Sequence, residues 1–439
     1  MNDETSVRAW VVAADMGYGH QRAAHPLRRI AHGGVLVVGR NDASSPSERG
    51  LWSRLLGVYE TFSRARGVPV IGKPIFTILD SLLHIPSVYP IRDLSRSTFQ
   101  VDLLASLVRQ GLGRGLLARI SEAHLPLVTS FYAPAVAADM AGYDTIYCII
   151  CDADLNRVWV ARQPWESRIN YFAPCGRAAQ RLRAYGVPEE RIFLTGFPLP
   201  EELLGENLET LKHDLARRLV RLDPERKFQA LHAPSVKHFL DVDLRDLKAE
   251  GPLTITYAVG GAGAQKEIGG SIVESLRSRL ERGEMRLNLV AGIREEVRDY
   301  FLGVVRRFPA TASAVTVHHA PTIPEYCDRF NALLRTTDIL WTKPSELSFY
   351  CALGIPIIMT PTIGSQEKFN RRWLFEVQAG MRQENPAYTD HWLRDAVRDG
   401  RMAEMAWDGF LKARKLGTRK IIEVLATGRH TRSDSPLER

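Results

Sequence analysis

The feature that most constrains the fold is a local pattern that occurs once in each half of the chain. In the first half, the apolar residues 8–14 precede the turn Gly17-Tyr-Gly-His20, and a helix-like stretch runs from Gln21 to Ile30. In the second half, residues 253–259 precede Gly260-Gly-Ala-Gly-Ala-Gln265 and a helical rhythm of apolar residues. Since 439 residues exceed what one hydrophobic core usually serves, the repeat predicts two α/β domains.

Strand and helix signals alternate through both halves, which predicts open parallel sheets. The expected fold class is α/β, with two Rossmann-like domains. We predict an N-terminal domain at 1–197 with a helical insertion at about 45–115, a C-terminal domain at 198–425 and a polar tail at 426–439. Residues 228–259 are predicted to hold one or two strands and an irregular segment.

The composition is that of a soluble globular protein, with 45% hydrophobic and 25% charged residues. No run of about 18 apolar residues occurs, and the first strand signal follows Met1 without the regions of a signal peptide. The net charge of +8 favours an anionic partner only weakly, and no basic patch with interleaved aromatic residues indicates nucleic acid. We expect a cytoplasmic protein, and peripheral attachment to the inner face of the membrane stays open.

The five cysteines, at 148, 151, 175, 327 and 351, are odd in number and scattered. This pattern argues against a disulfide framework and indicates a reducing compartment. Cys148 and Cys151 lie in an apolar run where they are expected to be buried thiols. With no second C-x-x-C and no H-E-x-x-H motif, the sequence predicts no metal site.

The second glycine turn is the candidate phosphate site. Glycines let a ligand approach the backbone closely, and the free N–H groups of the following helix attract anions. This points to Gly260, Gly261, Gly263 and Gln265. A dinucleotide fingerprint fits poorly because Lys266 stands where it needs a glycine. An ordinary strand-to-helix turn is the alternative.

An ordered set of segments resembles the monogalactosyldiacylglycerol synthase family and, more distantly, the lipid-linked N-acetylglucosaminyltransferase of peptidoglycan synthesis. The similar segments are Gly17–Ala24, Tyr171-Phe-Ala-Pro, 181–200, Gly260–Gln265, Trp341-Thr-Lys-Pro-Ser-Glu, Ala352-Leu-Gly-Ile-Pro and Gly364–Asn370. They span most of the chain except 45–115 and 228–250. The resemblance implies the GT-B glycosyltransferase architecture, in which two Rossmann-like domains face each other across a cleft. It places the acceptor on the first domain and a nucleotide-sugar donor, usually a uridine diphosphate sugar, on the second.

On the acceptor side, the resemblance places Gly17, Gly19 and His20 at the cleft. The His20 imidazole is a candidate base or a candidate hydrogen-bond donor to the donor phosphates. A buried structural histidine is the alternative. Asp152 and Asp154 follow the strand signal at 145–151, at an edge where a carboxylate could take the acceptor proton. An ordinary loop cap is the alternative. An inverting displacement needs only one base, so His20, Asp152 and Asp154 are alternative candidates for that role.

On the donor side, Gly364, Ser365, Gln366, Glu367 and Asn370 open a helix. Positions 366 and 370 share a face, so their amides are predicted to bond sugar hydroxyls together. The resemblance adds Lys343, Ser345 and Glu346 to the donor site. It also reveals a departure, because Phe349 stands where an acidic residue is expected to hold the ribose hydroxyls. Glu346 is the candidate replacement.

Within the insertion, the segment Leu51–Arg66 combines aromatic and leucine side chains with arginines, as an amphipathic basic helix does. The apolar set is Trp52, Leu55, Leu56, Tyr59 and Phe62. Two interpretations stay open: the helix packs on the domain core, or it lies on an anionic membrane surface beside the acceptor.

The hypothesis from the sequence is a metal-independent, inverting hexosyltransferase. It would move a sugar from a nucleotide diphosphate donor, with a uridine diphosphate sugar favoured, to a lipid or other acceptor. No cofactor is expected beyond the nucleotide sugar as co-substrate. A sugar-nucleotide epimerase of the same architecture and a catalytically silent nucleotide-sugar binding protein are the alternatives.

Overall fold

The computed structural model describes residues 7–39, 48, 50–52, 85–87, 89–261 and 263–439, apart from the side chain of Ser365. The predicted basic helix at Leu51–Arg66 therefore lies almost wholly outside the described residues. The described part contains two six-stranded sheets, one in each half of the chain.

The first sheet has the strand order β2-β1-β3-β4-β5-β6, and every pair in it is parallel. Its strands are β1 (Trp10–Ala14), β2 (Leu36–Val38), β3 (Leu127–Thr129), β4 (Ile146–Ile149), β5 (Ile169–Phe172) and β6 (Ile192–Phe193). Every residue of β1, β3 and β4 is buried. Continuous apolar strands are what a parallel sheet needs when helices cover both of its faces.

The α-helices described in this half are α1 (Tyr18–Ala24), α2 (Phe99–Arg109), α3 (Arg114–Ile120), α4 (Tyr132–Met140) and α5 (Gly176–Ala184). The helix predicted from Gln21 to Ile30 is α-helical only to Ala24 and continues as a 3-10 helix over His25–Arg29. Pro26 lacks an N–H group for the α-helical ladder, which explains the change.

The second sheet has the order β12-β11-β10-β7-β8-β9 and is also parallel throughout. Its strands are β7 (Leu253–Ala258), β8 (Met285–Gly292), β9 (Val315–His319), β10 (Ile339–Thr342), β11 (Ile357–Met359) and β12 (Gly380–Arg382). The associated helices are α6 (Glu209–Leu222), α7 (Lys227–Leu240), α8 (Lys266–Ser275), α9 (Arg277–Glu281), α10 (Glu295–Arg307), α11 (Ile323–Leu334), α12 (Ser365–Glu376), α13 (Thr389–Arg398), α14 (Arg401–Lys412) and α15 (Gly417–Thr427). Two helix-covered parallel sheets confirm the predicted α/β class with two Rossmann-like units.

The prediction for 228–259 missed a helix. β7 is the strand in this range, and α7 occupies Lys227–Leu240 despite the internal Pro234. Phe228, Val236 and Leu240 are its buried positions, so tertiary packing of these side chains stabilises a helix that proline disfavours.

The end of the chain packs against the connector between the two sheets, which is formed by residues 197–200. In α15, Thr418 Oγ1 donates to the Leu199 carbonyl at 2.5 Å, and Gly417 lies against the Phe197 carbonyl. The last residue of the predicted polar tail is bonded to the preceding chain, because the Lys415 N–H donates to the Arg439 carbonyl at 2.9 Å. Connector and C-terminal segments thus form one packed unit.

Candidate functional site

The two glycine turns lie at the carboxyl ends of β1 and β7 and touch each other. A Cβ atom built on Gly261 would lie 3.3 Å from the Tyr18 nitrogen and 3.4 Å from the Gly17 Cα. In open α/β sheets, this edge is where ligands bind. The two Rossmann-like units therefore face each other, with one glycine turn from each unit at their junction.

Tyr18 fastens this junction, and sequence reasoning missed it. The Ile293 N–H, just after β8, donates to the Tyr18 hydroxyl at 2.9 Å. Gly292 has a φ of +67°, and a Cβ there would overlap the Tyr18 ring. Burial raises the pKa of Tyr18, so the side chain is a neutral phenol that anchors the first turn on the second unit.

His20 presents one defined basic nitrogen. Its Nδ1 lies 2.7 Å from the Ser130 carbonyl, which only accepts hydrogen bonds, so Nδ1 carries the proton and Nε2 keeps its lone pair. The Ser130 hydroxyl donates back to the His20 carbonyl at 2.7 Å. Burial lowers the pKa of His20, although the Ser130 hydrogen bond and nearby Glu346 act in the opposite direction. The imidazole is thus neutral at pH 7 and suited to accept a proton.

Asp152 lies three residues after β4, at the same junction. Its Oδ1 accepts a hydrogen bond from Asn370 Nδ2 at 2.8 Å. Burial raises the pKa of Asp152 to about 6; the Asn370 hydrogen bond and the Lys343 charge lower it, whereas Glu346 and Glu367 raise it. This carboxyl group therefore changes its charge near physiological pH.

Asp154 does not belong to the site, contrary to its selection as a candidate base. It is fully buried, with its two oxygens 2.7 and 3.0 Å from Nε and Nη2 of Arg181 on α5. Its Oδ1 also accepts the Leu155 N–H at 2.9 Å. A carboxylate enclosed by a guanidinium inside one domain has no path to an acceptor hydroxyl, so Asp154 is structural.

The second glycine turn has the features of an anion site. Gly263 N–H donates to the Gly260 carbonyl at 2.8 Å, which closes the turn, and α8 begins at Lys266. Arg294 Nε donates to the Gly261 carbonyl at 2.9 Å. On the other side, the Lys343 side chain lies where a Cβ on Gly260 would be. A helix N-terminus flanked by two cations attracts phosphate.

Gln265 serves this turn differently from the prediction. Its Nε2 donates to the Pro361 carbonyl at 2.9 Å, and its Oε1 accepts from Thr360 Oγ1 at 2.7 Å. The amide therefore ties the turn to the loop after β11.

The loop before α12 is held by Glu367 and Lys343. Lys343 Nζ lies 3.0 Å from Glu367 Oε1, and the Ile363 N–H donates to Glu367 Oε2 at 2.6 Å. Gly364 and the half-buried Gln366 adjoin this pair. Ser345 precedes the 3-10 helix Glu346–Leu353 as its N-cap residue. These contacts bring the predicted donor residues after β10 and β11 together.

Glu346 joins the two domains. Arg22 Nε, in α1, donates to Glu346 Oε1 at 3.2 Å, and Arg22 Nη2 donates to the Tyr326 hydroxyl at 2.7 Å. Gly19 packs on the other oxygen, which a Cβ there would approach to 3.1 Å. Glu346 therefore takes part in an interdomain ion pair, and its contact with the donor ribose stays a prediction.

Phe349, at the position of the missing acidic residue, is buried in an aromatic cluster. Its ring stacks on Phe197 at 5.2 Å and packs against Trp373 at 4.8 Å. The substitution thus supports the contact between the connector and α12.

Asn370 also departs from its predicted role beside Gln366. It is fully buried, and its Oδ1 accepts the Ala153 N–H at 2.7 Å in addition to the Nδ2 contact with Asp152. Its side chain is bound to the other domain, so it does not share sugar hydroxyls with Gln366 in this structure.

Within the described ranges, no group of three or more His, Cys, Asp or Glu side chains is arranged to hold a metal ion. All five cysteines are buried and unpaired, as expected. No helix among the described residues has both the length and the apolarity to cross a bilayer.

No protein-family model matches the chain, and no curated protein matches it in sequence. Several solved structures are similar in fold, including the following three. S. aureus MnaA, in a co-structure with UDP, is 9% identical, with a TM-score of 0.48 and 95% of this chain and 96% of that chain covered. Acinetobacter baumannii MurG is 13% identical (TM-score 0.47; 96% and 99% covered). The UDP-GlcNAc 2-epimerase from Neisseria meningitidis is 11% identical (TM-score 0.46; 96% and 100% covered).

Proposed function

We propose that this protein is an inverting glycosyltransferase that uses a nucleotide diphosphate sugar. One observation carries the proposal: the anion-binding turn at Gly260–Gln265 touches the turn that bears His20. A phosphate bound at the Gly260–Gln265 turn would therefore place its sugar beside a neutral imidazole with a free lone pair. A leaving group and a proton acceptor are the two requirements of glycosyl transfer.

The donor half stabilises the leaving diphosphate. Negative charge grows on the phosphate as the glycosidic bond breaks, and preorganised positive groups lower the energy of that state. Arg294, Lys343 and the first turn of α8 surround the place where the charge would form. A uridine diphosphate sugar is the favoured donor, and these groups supply the stabilisation without requiring a cofactor.

The acceptor half supplies the group that accepts the proton of the attacking hydroxyl. Because the Ser130 carbonyl fixes the proton on Nδ1, His20 can only accept at Nε2, which suits an attacking hydroxyl better than a phosphate oxygen. We assign His20 as the general base. Asp152, as a carboxylate, would stabilise the positive charge that develops on the sugar ring in an oxocarbenium-like transition state.

A lipid acceptor on an anionic membrane surface stays part of the proposal, with less structural support. Trp52, one of the residues expected to face lipid, is 1% exposed, and its indole N–H donates to Glu48 Oε1 at 2.9 Å. The remaining members of that helix lie outside the described residues. Co-sedimentation with anionic vesicles, weakening as ionic strength rises, would support the lipid acceptor.

A screen of uridine, guanosine and thymidine diphosphate sugars tests the proposal. We expect uridine diphosphate to raise the melting temperature and a uridine diphosphate sugar to release its nucleotide. An epimerised sugar formed without acceptor would instead identify an epimerase. Stabilisation without turnover, with or without added lipid acceptors, would identify a binding protein. If no nucleotide shifts the melting temperature, the proposal is wrong.

A further inference from the structure

Asn370 belongs to α12 of the second unit, yet its side chain is bonded mainly to the first. Its Nδ2 donates to Asp152 Oδ1 at 2.8 Å and to the Pro344 carbonyl at 3.2 Å, and its Oδ1 accepts the Ala153 N–H at 2.7 Å. The Pro344 carbonyl accepts only and the Ala153 N–H donates only, so the amide has one orientation. The donor side of the amide is thus aimed at the Asp152 carboxylate.

We propose that Asn370 is a positioning residue that keeps Asp152 an oriented carboxylate when the two units are closed, rather than a ligand of the donor sugar. The inference rests on the proposed function only for the role of Asp152 in transfer. The contact itself joins residues 218 positions apart in the chain.

The surroundings of Asp152 explain why such a donor is needed. Two carboxylates of the second unit, Glu346 and Glu367, favour the neutral acid, and Lys343 opposes them. On its own strand end, the Cys151 thiol stays neutral because burial raises its pKa well above the ordinary value. His20, which follows β1 on the far side of β3, is neutral at pH 7. With burial acting against ionisation, the Asn370 N–H group is a major contribution that favours the charged form.

The sign of the effect follows directly. A hydrogen-bond donor to a carboxylate lowers its pKa, so removing Asn370 Nδ2 should raise the pKa of Asp152 above about 6. If the pKa rises by about one unit, the ionised fraction at pH 6 falls about five-fold and the fraction at pH 8 hardly changes.

The experiment compares the wild-type protein with Asn370→Leu, an apolar residue of similar size. The titration of Asp152 is followed by 13C NMR of its carboxyl carbon, with Asp152→Asn to identify the signal. We expect the midpoint to rise by about one unit and kcat/KM to fall about five-fold at pH 6 but little at pH 8. Gln366→Leu, on the same helix, should leave the midpoint unchanged.

An unchanged midpoint in Asn370→Leu overturns the inference, as does a pH-independent loss of donor affinity, which would make Asn370 a sugar ligand. If this variant does not fold, Asn370→Asp replaces it, and the added carboxyl group should raise the midpoint further. The melting shifts of the wild-type protein with uridine, guanosine and thymidine diphosphate sugars are measured in parallel. The absence of all three shifts would refute the proposed function, whereas the NMR titration still decides the role of Asn370.

Discussion

The two glycine turns have the same backbone plan and carry opposite chemistry. Each follows the carboxyl end of a buried strand and leads into a helix. The first turn carries His20, and the Asp152 carboxyl group lies after β4 at the same junction, whereas two cations, Lys343 and Arg294, flank the second turn. The local fold thus determines where a ligand can sit, and the side chains at the strand ends determine what each half does with it.

Polar side chains from each half bond to the other half. Arg22 and Tyr18 of the first unit bond to Glu346 and to the Ile293 N–H of the second. Asn370 of the second unit bonds to Asp152 of the first. Arg22, Glu346 and Asn370 are buried, so a docked arrangement that separated them from their partners would leave unpaired polar groups. Each unit therefore completes the polar surface of the other.

The largest expected effect tests the proton-accepting turn. His20→Ala should lower kcat by about 100- to 10,000-fold, the usual contribution of a general base, and should leave the uridine diphosphate melting shift in place. Steady-state kinetics and a melting titration measure the two quantities. The exposed His124 offers a control, since His124→Ala should retain kcat. Near-normal turnover in His20→Ala would show that His20 is not the general base.

The second prediction separates two neighbouring carboxylates of the same half. Asp154→Asn breaks a buried ion pair with Arg181 and should cost about 3–5 kcal/mol in the free energy of unfolding, while folded protein keeps its kcat. Asp152→Asn should show the reverse, a loss of kcat with little loss of stability. Chemical denaturation and steady-state kinetics on both variants measure these two effects. If both variants lose the same property, the assignment of Asp152 to the site and Asp154 to the core is wrong.

The third prediction tests the cationic turn. Lys343→Met removes a positive charge next to Gly260 and should weaken uridine diphosphate binding by about 10- to 100-fold, since a hydrogen bond to a charged group contributes about 1.5–3 kcal/mol. Calorimetric titration measures the Kd. Lys368→Met, an exposed lysine on α12, should bind like the wild-type protein. Equal Kd values for all three proteins would place the anion elsewhere.

The smallest effect concerns the support of His20. Ser130→Ala keeps the carbonyl that fixes the imidazole tautomer but removes the hydroxyl that bonds the His20 carbonyl. A loss of about 1 kcal/mol in stability and a decrease in kcat of about five-fold or less are expected. Ser121→Ala, which removes an exposed hydroxyl bonded to Ala118, provides the comparison by melting and kinetics. A decrease in kcat as large as that of His20→Ala would mean that the hydroxyl itself takes part in the chemistry.

The sequence was sufficient to predict the features that depend on local periodicity. Alternating apolar runs and glycine turns predicted both sheets and placed the Gly17 and Gly261 turns at the carboxyl ends of strands. The contact between the two turns was not predicted. Arg294 was missed since it carries no motif: it follows β8 by two residues and matters only because that strand neighbours β7.

The partners of long polar side chains could not be predicted in the same way. Asn370, Gln265 and Glu346 were all assigned to a ligand because they stand near the turns in sequence. In the structure each is bonded to another segment of protein, two of them across the domain junction. Such pairings depend on how the two units dock, and helical spacing contains no information about docking.

The close contact of Gly417 with the Phe197 carbonyl limits how a substrate enters. There is no space for even a methyl group at this point, so the connector and α15 cannot slide past one another. At the Gly17 and Gly261 turns the two units are joined instead by hydrogen bonds of Tyr18, Arg22 and Asn370. If one unit rotates relative to the other, the axis should therefore lie near Phe197, and these hydrogen bonds are the contacts that must break.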